Sequence, residues 1–172
     1  SGFMNSENLG SSGVTGTAAC TSNSLVGSPV SGNPYTITCT AGSLAAGNYS
    51  FGPYVTNSLT LTKAPLTVTA DSQTRVYGAS DPPLTATLSG FVNSENLGSS
   101  GVGGSAACSS NAISTSPLSG NPYTITCTAG TLAAGNYSFG PFVTGGFTLT
   151  AAPVTFTSIV ANDAVYTGSA YN

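Results

Sequence analysis

The twelve residues SGNPYTITCTAG occur twice in this chain, at positions 31–42 and again at 119–130. In the central YTITC, apolar and polar side chains alternate, which is typical of a β-strand with one face buried. Tyr123, Ile125 and Cys127 therefore fall on the core side of the predicted strand, and the threonines point outward. The Asn-Pro and Ala-Gly pairs on either side indicate turns. The stretch predicts one core strand, bounded by turns and carrying a cysteine.

The repetition extends far beyond these twelve residues. Residues 1–63 (the first repeat) align without a gap with residues 89–151 (the second repeat), and roughly three-quarters of the aligned positions are identical. The offset is 88 residues, since residue 89 aligns with residue 1. Solenoid repeats are about 20–45 residues long. The period is therefore that of a small domain, and we expect tandem domains in place of a solenoid.

Two matching stretches mark the domain boundaries. LTLTKAPLTVTA at 59–70 and FTLTAAPVTFTS at 147–158 alternate, break at Ala-Pro and alternate again. Because proline lacks an amide hydrogen for sheet pairing, Pro65 and Pro153 are expected at strand starts. The predicted units are a partial domain that lacks its opening hairpin at 1–63, a complete domain at 64–151, and the opening hairpin of a further domain at 152–172.

The remaining pattern of the complete domain is almost entirely that of strands. LTATL, YSFGPFV and FTLT alternate, and YGASDPP, SGNP and AAGN indicate turns. No window sustains a helical period, although a single helical turn is expected at Ser94–Leu97. The predicted fold class is all-β, with small domains arranged in tandem, head to tail.

The quoted motifs together resemble a known family. The APLTV opening, VYG, SGF, YTI, AGNY and the closing LT are similar to the MBG ("mostly beta-grasp") repeats of large bacterial surface and adhesin-like proteins. The resemblance covers 64–151 and continues into both flanks. It implies a β-grasp-like fold and a cell-surface or extracellular location, and the family has no shared catalytic residues. The cysteines and the shortage of charged residues depart from the family pattern.

Four cysteines, Cys20, Cys39, Cys108 and Cys127, lie 19 residues apart within each repeat, and the chain has no histidine. Zinc sites need closer cysteine pairs or histidine, so the spacing does not indicate a metal site. An even number of cysteines at repeated spacing favours disulfides and an oxidising compartment. Four cysteines allow three pairings, of which the repeat favours Cys20–Cys39 and Cys108–Cys127.

Charge is scarce, at 4% of residues against about 25% in an ordinary soluble domain. The charged residues are Glu7, Lys63, Asp71, Arg75, Asp81, Glu95 and Asp163. With a net charge of −3 and no basic stripe, we expect no nucleic-acid partner. No apolar run approaches the roughly 20 residues that a membrane span needs. The chain opens at Ser1 without a basic start or an apolar core segment, so we expect a mature or excised segment.

Catalysis has few candidate groups. Without histidine, acid–base chemistry would depend on five carboxylates. Glu7 and Glu95 are equivalent positions one repeat apart, which does not form a local pair. Asp71, Asp81 and Asp163 stand near predicted turns, where aspartate ordinarily forms hydrogen bonds, and we prefer this interpretation to a catalytic or calcium site. We expect no enzyme activity, no catalytic residues, no metal and no cofactor.

Two further residue types are candidates for modification. GNYS occurs twice and makes Asn48 and Asn136 candidates for N-glycosylation. The alternative, which we favour, is a turn asparagine followed by a core tyrosine. Lys63 aligns with Ala151, so a cross-link shared by both repeats is excluded and Lys63 is interpreted as a solvated linker residue.

The leading functional hypothesis is a structural repeat unit of an extracellular stalk or filament. Its partners would be copies of itself, joined head to tail. Either 152–172 of one molecule completes 1–63 of the next by strand addition, or the chain is a window of a long tandem array. The alternative is an adhesin module that binds glycans or cell surfaces. Against adhesion, the aromatic residues fall on core-facing strand positions.

Overall fold

The computed structural model of the chain describes residues 2–157. Its strands are β1 (Ala19–Ser22), β2 (Tyr35–Thr40), β3 (Asn57–Leu59), β4 (Ala64–Ala70), β5 (Gln73–Val76), β6 (Ala86–Ser89), β7 (Ala107–Ser110), β8 (Tyr123–Thr128), β9 (Tyr137–Val143) and β10 (Gly145–Thr150). Two 3-10 helices, Val30–Gly32 and Leu118–Gly120, precede β2 and β8. In this part of the chain no helix is long and apolar enough to cross a membrane. The predicted all-β class is confirmed.

The strands form three sheets, whose orders are β1-β2-β3, β5-β10-β8-β7 and β6-β4-β9. The first sheet has the same strand order as the β7-β8-β10 part of the second sheet. The reason is that β1, β2 and β3 align in sequence with β7, β8 and β10. Residues 64–88, the opening segment, supply what the first repeat lacks. Its strand β5 pairs in parallel with β10, and its strand β4 pairs in parallel with β9.

The core lies between the opening segment and the second repeat. Its buried members are Val68, Ala70, Ala112, Ile125, Cys127, Phe147 and Leu149. Leu66 and Val68 are both 0% exposed, because alternate side chains of β4 point to the same face of the sheet. The opening segment is therefore an integral part of this core.

Arg75 also ties the opening segment to the second repeat. It is 6% exposed, forms an ion pair with Asp81, and donates a hydrogen bond from Nη2 to the carbonyl of Ile113 at 2.8 Å. Its guanidinium carbon lies 5.4 Å from the ring centre of Phe147. A buried arginine needs such partners, because an unpaired charge in a core is costly.

Local turns have the same geometry in both repeats. The hydroxyl of Tyr35 donates to the carbonyl of Pro29 at 2.6 Å, and its counterpart Tyr123 donates to Pro117 at 2.7 Å. Such contacts between residues close in sequence form in both repeats, whether or not the opening segment is beside them.

The predicted helical turn at Ser94–Leu97 is wrong. Asn93 and Ser94 have φ angles of 55° and 59°, in the left-handed region, and the segment is a series of turns. A right-handed helix cannot begin at such residues.

Of the two prolines predicted at strand starts, Pro65 lies in a strand and Pro153 does not. Pro65 is the second residue of β4, as the sequence predicts. Pro153 lies in 151–157, where no strand is assigned. Most of the hairpin predicted at 152–172, together with Asp163, lies outside the described residues.

Candidate functional site

The first repeat has an open face where the second repeat is covered. YSFGPFV at 137–143 forms β9, whereas the near-identical YSFGPYV at 49–55 forms no strand. β9 is held by parallel pairing with β4 of the opening segment. β3 likewise pairs only with β2, whereas its counterpart β10 pairs on both sides. We call 49–55 and the free edge of β3 the open face.

Burial differs between the repeats in the same way. Tyr137, Ile125 and Leu149 are 1%, 0% and 2% exposed. Their counterparts Tyr49, Ile37 and Leu61 are only half-buried. A cleft of about 280 Å³ lies in the first repeat and is lined by Gly2, Phe3, Leu9, Val14, Leu44, Tyr49, Ser50, Phe51 and Gly52. A cleft of about 730 Å³ lies at the equivalent place in the second repeat, so the repeats differ in burial and strand pairing and not in having a cleft. The open face thus exposes unpaired backbone beside core side chains that are only half-buried.

A second feature is the contact between the repeats, which we call the joint. Asn136 is at its centre: its Oδ1 accepts a hydrogen bond from the Val30 amide at 3.0 Å, and its carbonyl accepts one from the Ala64 amide at 2.9 Å. The ammonium group of Lys63 donates to the carbonyl of Ala134 at 2.8 Å. Lys63 is exposed but fixed at the joint, which the interpretation as a solvated linker residue missed.

A cleft of about 220 Å³ lies at the joint. It is lined by Leu25, Gly27, Ser28, Val30, Leu61, Thr62, Ala64, Val92, Asn93, Glu95, Asn136 and Tyr137. On its second-repeat side, the hydroxyl of Tyr137 donates to Glu95 at 2.6 Å. The hydrogen bond to this carboxylate raises the pKa of Tyr137 above its ordinary value. The network fixes the turn that carries Glu95 against β9.

The cysteines lie opposite each other on neighbouring antiparallel strands. Cys20 pairs with Cys39 across β1 and β2, and Cys108 pairs with Cys127 across β7 and β8. The S–S distances are 2.06 Å and 2.00 Å, so the disulfides join the pairs that the equal spacing favours. Each disulfide closes a loop within one repeat.

The carboxylates lie in separate places. Asp71 accepts hydrogen bonds from Thr85 and Thr87 at 2.6 and 2.7 Å, and these bonds lower the pKa of Asp71. Glu7 accepts a hydrogen bond from Tyr49, as Glu95 does from Tyr137. Over residues 2–157, no three histidine, cysteine, aspartate or glutamate residues come together as a metal site would require.

Comparison with known families gives one match. The model of the MBG domain (YGX type) matches residues 66–148, which run from β4 to β10. Residues 66–148 are an MBG domain. The match spans the opening segment together with the second repeat, so the hairpin that the first repeat lacks is part of the family's fold unit. No curated protein and no solved structure shows significant similarity to the chain.

The two sequons differ in their surroundings. Asn136, within the MBG domain, is half-buried at the joint, whereas Asn48 in the first repeat is exposed. The sequence contains one indication of the joint, because both contact residues lie in segments that occur in both repeats. Val30 aligns with Leu118, and Asn136 aligns with Asn48. Periodicity alone does not show that these segments meet.

Three aromatic side chains correct the expectation that aromatics face the core. Tyr77 and Phe142 of the MBG domain are 43% and 45% exposed, and Tyr54 of the first repeat is 43% exposed. Tyr77 follows the end of β5, and Phe142 lies in β9 opposite Val68 of β4. A fourth aromatic side chain, Phe156, is 88% exposed after the MBG domain.

Proposed function

We propose that the chain is a structural, non-catalytic repeat unit of an extracellular stalk or filament made of MBG domains joined head to tail. One observation carries the proposal: nearly the same sequence is a covered strand in 137–143 and an uncovered segment in 49–55. The difference follows the opening segment, which is present beside the second repeat and absent beside the first. The first repeat therefore needs an opening hairpin from a neighbouring unit.

Strand addition is the physical basis of this assembly. An exposed strand edge offers unpaired amides and carbonyls that an added strand can satisfy. Strands equivalent to β4 and β5 would pair with 49–55 and β3 and would place apolar side chains over Ile37 and Leu61. The hairpin can come from residues that precede the first repeat in a longer chain, or from 152–172 of another molecule.

Two other features support a load-bearing role outside the cell. Each repeat has its own disulfide, which is typical of proteins in oxidising compartments. The connection between β3 and β4 is short, and the hydrogen bonds of Asn136 and Lys63 hold it in place. A short, hydrogen-bonded connection favours a fixed angle between successive domains.

The test is to supply the missing segment. Because residue 89 aligns with residue 1, a copy of 64–88 fused before Ser1 gives a complete second domain. We expect amides in 49–55 and 57–59 to become protected from hydrogen exchange to the level expected for the paired strands β9 and β10. The matched control carries Leu66→Asp and Val68→Asp in the fused copy only. Equal protection with both fusions, or none with either, would contradict the proposal.

Adhesion is a second candidate function, favoured by the exposed rings of Tyr54, Tyr77 and Phe142. Exposed aromatic rings commonly stack on sugars and on protein surfaces. Saturable binding to a glycan array that is lost on Tyr77→Ala and Phe142→Ala would favour this function. A chain that binds no glycan saturably fits the structural role alone.

A further inference from the structure

The joint between the repeats has two halves, and each repeat carries both. The half that faces the following domain, the donor half, is formed in the first repeat by Val30 and its neighbour Leu25. The half that faces the preceding domain, the acceptor half, is formed in the second repeat by Asn136 and Glu95. In the part of the chain that the structure describes, only these two halves meet.

The unused acceptor half lies in the first repeat, at Asn48. Its supporting network is already formed: the Met4 amide donates to the hydroxyl of Tyr49 at 3.2 Å, and this hydroxyl donates to Glu7. At the joint, the Val92 amide donates to Tyr137 with the same 3.2 Å distance. Asn48 is exposed, whereas Asn136 is half-buried by its partner.

The unused donor half lies in the second repeat, at Leu118. Within residues 2–157 its amide has no hydrogen-bond acceptor, whereas the equivalent Val30 amide donates to Asn136. Leu118 is 38% exposed, whereas Val30 at the formed joint is half-buried. Within residues 2–157 one joint is formed between the repeats, and one divided joint has its two ends at Asn48 and Leu118.

We infer that these two ends bind each other between molecules, with the Leu118 amide of one molecule donating to Oδ1 of Asn48 in the next. The inference rests on the proposed head-to-tail function and names its contact surface. Because the two halves differ, the interface is heterologous and adds molecules in one direction. The external joint is weaker than the internal one, because Ala151 replaces Lys63 and removes one hydrogen bond.

The test uses one variant for each end, produced in a host that does not glycosylate. Asn48→Ala removes the acceptor, and Leu118→Glu places a carboxylate opposite Glu7. Ser50→Ala is the matched control, since it destroys the same sequon but keeps the Asn48 side chain. Sedimentation velocity should show concentration-dependent oligomers for the wild type and for Ser50→Ala. The loss of one hydrogen bond should weaken association of Asn48→Ala about tenfold.

Mixing the two variants gives the decisive result. At concentrations where each variant alone is monomeric, the mixture should form a one-to-one dimer and nothing larger, because each variant keeps one intact end. A wild type that is monomeric up to about 1 mM overturns the inference. So does unchanged association of Asn48→Ala, or a mixture that stays monomeric.

Failure of the joint between molecules can be distinguished from failure of the proposed function. If the fused segment 64–88 protects 49–55 while Asn48→Ala associates like the wild type, only the joint between molecules is wrong. If the fused segment gives no protection, the proposed function fails, and the mixture of variants still tests the joint.

Discussion

Neutral side chains make most of the specific contacts in this charge-poor chain. Asn33 and Asn121 each join their turn to a later segment of the repeat, with paired hydrogen bonds to Leu61 and Leu149 at 2.7 and 2.8 Å. Asn136 holds the joint in a similar way. Neutral amides keep their hydrogen bonds at any pH, so the few charged groups account for the acid dependence of stability.

Asp71 is one of these groups. The hydroxyls of Thr85 and Thr87 hold the pKa of its carboxyl below its usual value of 3.8. A folded-state pKa below the unfolded one stabilises the fold above that unfolded value, and the contribution is lost as pH falls through the folded pKa. Below about pH 4, the melting temperature of the wild type should fall more steeply than that of Asp71→Asn. Parallel melting curves from pH 5 to pH 2 would contradict this.

The ion pair between Arg75 and Asp81 contributes to stability at neutral pH. Asp81→Asn leaves the guanidinium buried without its counter-ion, at a site where the Asp81 side chain itself is 44% exposed. We expect the free energy of unfolding to fall by about 1–3 kcal/mol, less than for a fully buried pair. Urea unfolding of the variant measures this, with Asp71→Asn as the carboxylate control that faces no cation. An unchanged midpoint would mean that Ile113 and Phe147 suffice to hold Arg75.

At the scale of strands, the comparison between repeats separates local from long-range determinants. The strand at YTITC, the turns around it and the start of β4 at Ala-Pro follow from alternation and turn residues. The parallel pairing of β4 with β9, and of β5 with β10, joins segments about 70 residues apart, and no periodicity specifies it. The positive φ angles of Asn93 and Ser94 also cannot be predicted from the alternation of apolar and polar residues.

Substitutions at equivalent core positions of the two repeats test how much the opening segment contributes to the stability of the core. Leu149 is 2% exposed, and its counterpart Leu61 is half-buried in the same local setting. Leu149→Ala should lower the free energy of unfolding by about 2–5 kcal/mol, as for other buried leucines. Leu61→Ala should cost clearly less, because fewer atoms surround it. Domain-resolved hydrogen exchange or urea unfolding would measure both, and equal losses would show that the first repeat has a complete core.

At the scale of the whole molecule, one MBG domain is complete and its relative is open at one face. The opening segment covers β9 and β10 of the second repeat. The nearly identical segments of the first repeat, 49–55 and β3, are not covered. The joint gives a fixed connection between them through Asn136 and Lys63. In the proposed stalk or filament, the two repeats count as successive units of nearly the same sequence, so the number of units sets its length.

The position of the disulfides limits how far such an assembly can lengthen under tension. When force unfolds the domain, the residues between Cys108 and Cys127 do not extend. The disulfide joins these two cysteines, which are 19 residues apart, and carries the force directly. At about 3.4 Å per extended residue, reduction should add about 60 Å of contour length per domain. Single-molecule pulling with and without a reductant measures this step, and equal step lengths would contradict it. In the proposed stalk, the disulfide would therefore limit strain: a domain that unfolds under force gives up only part of its length, and the stalk shortens again when the domain refolds.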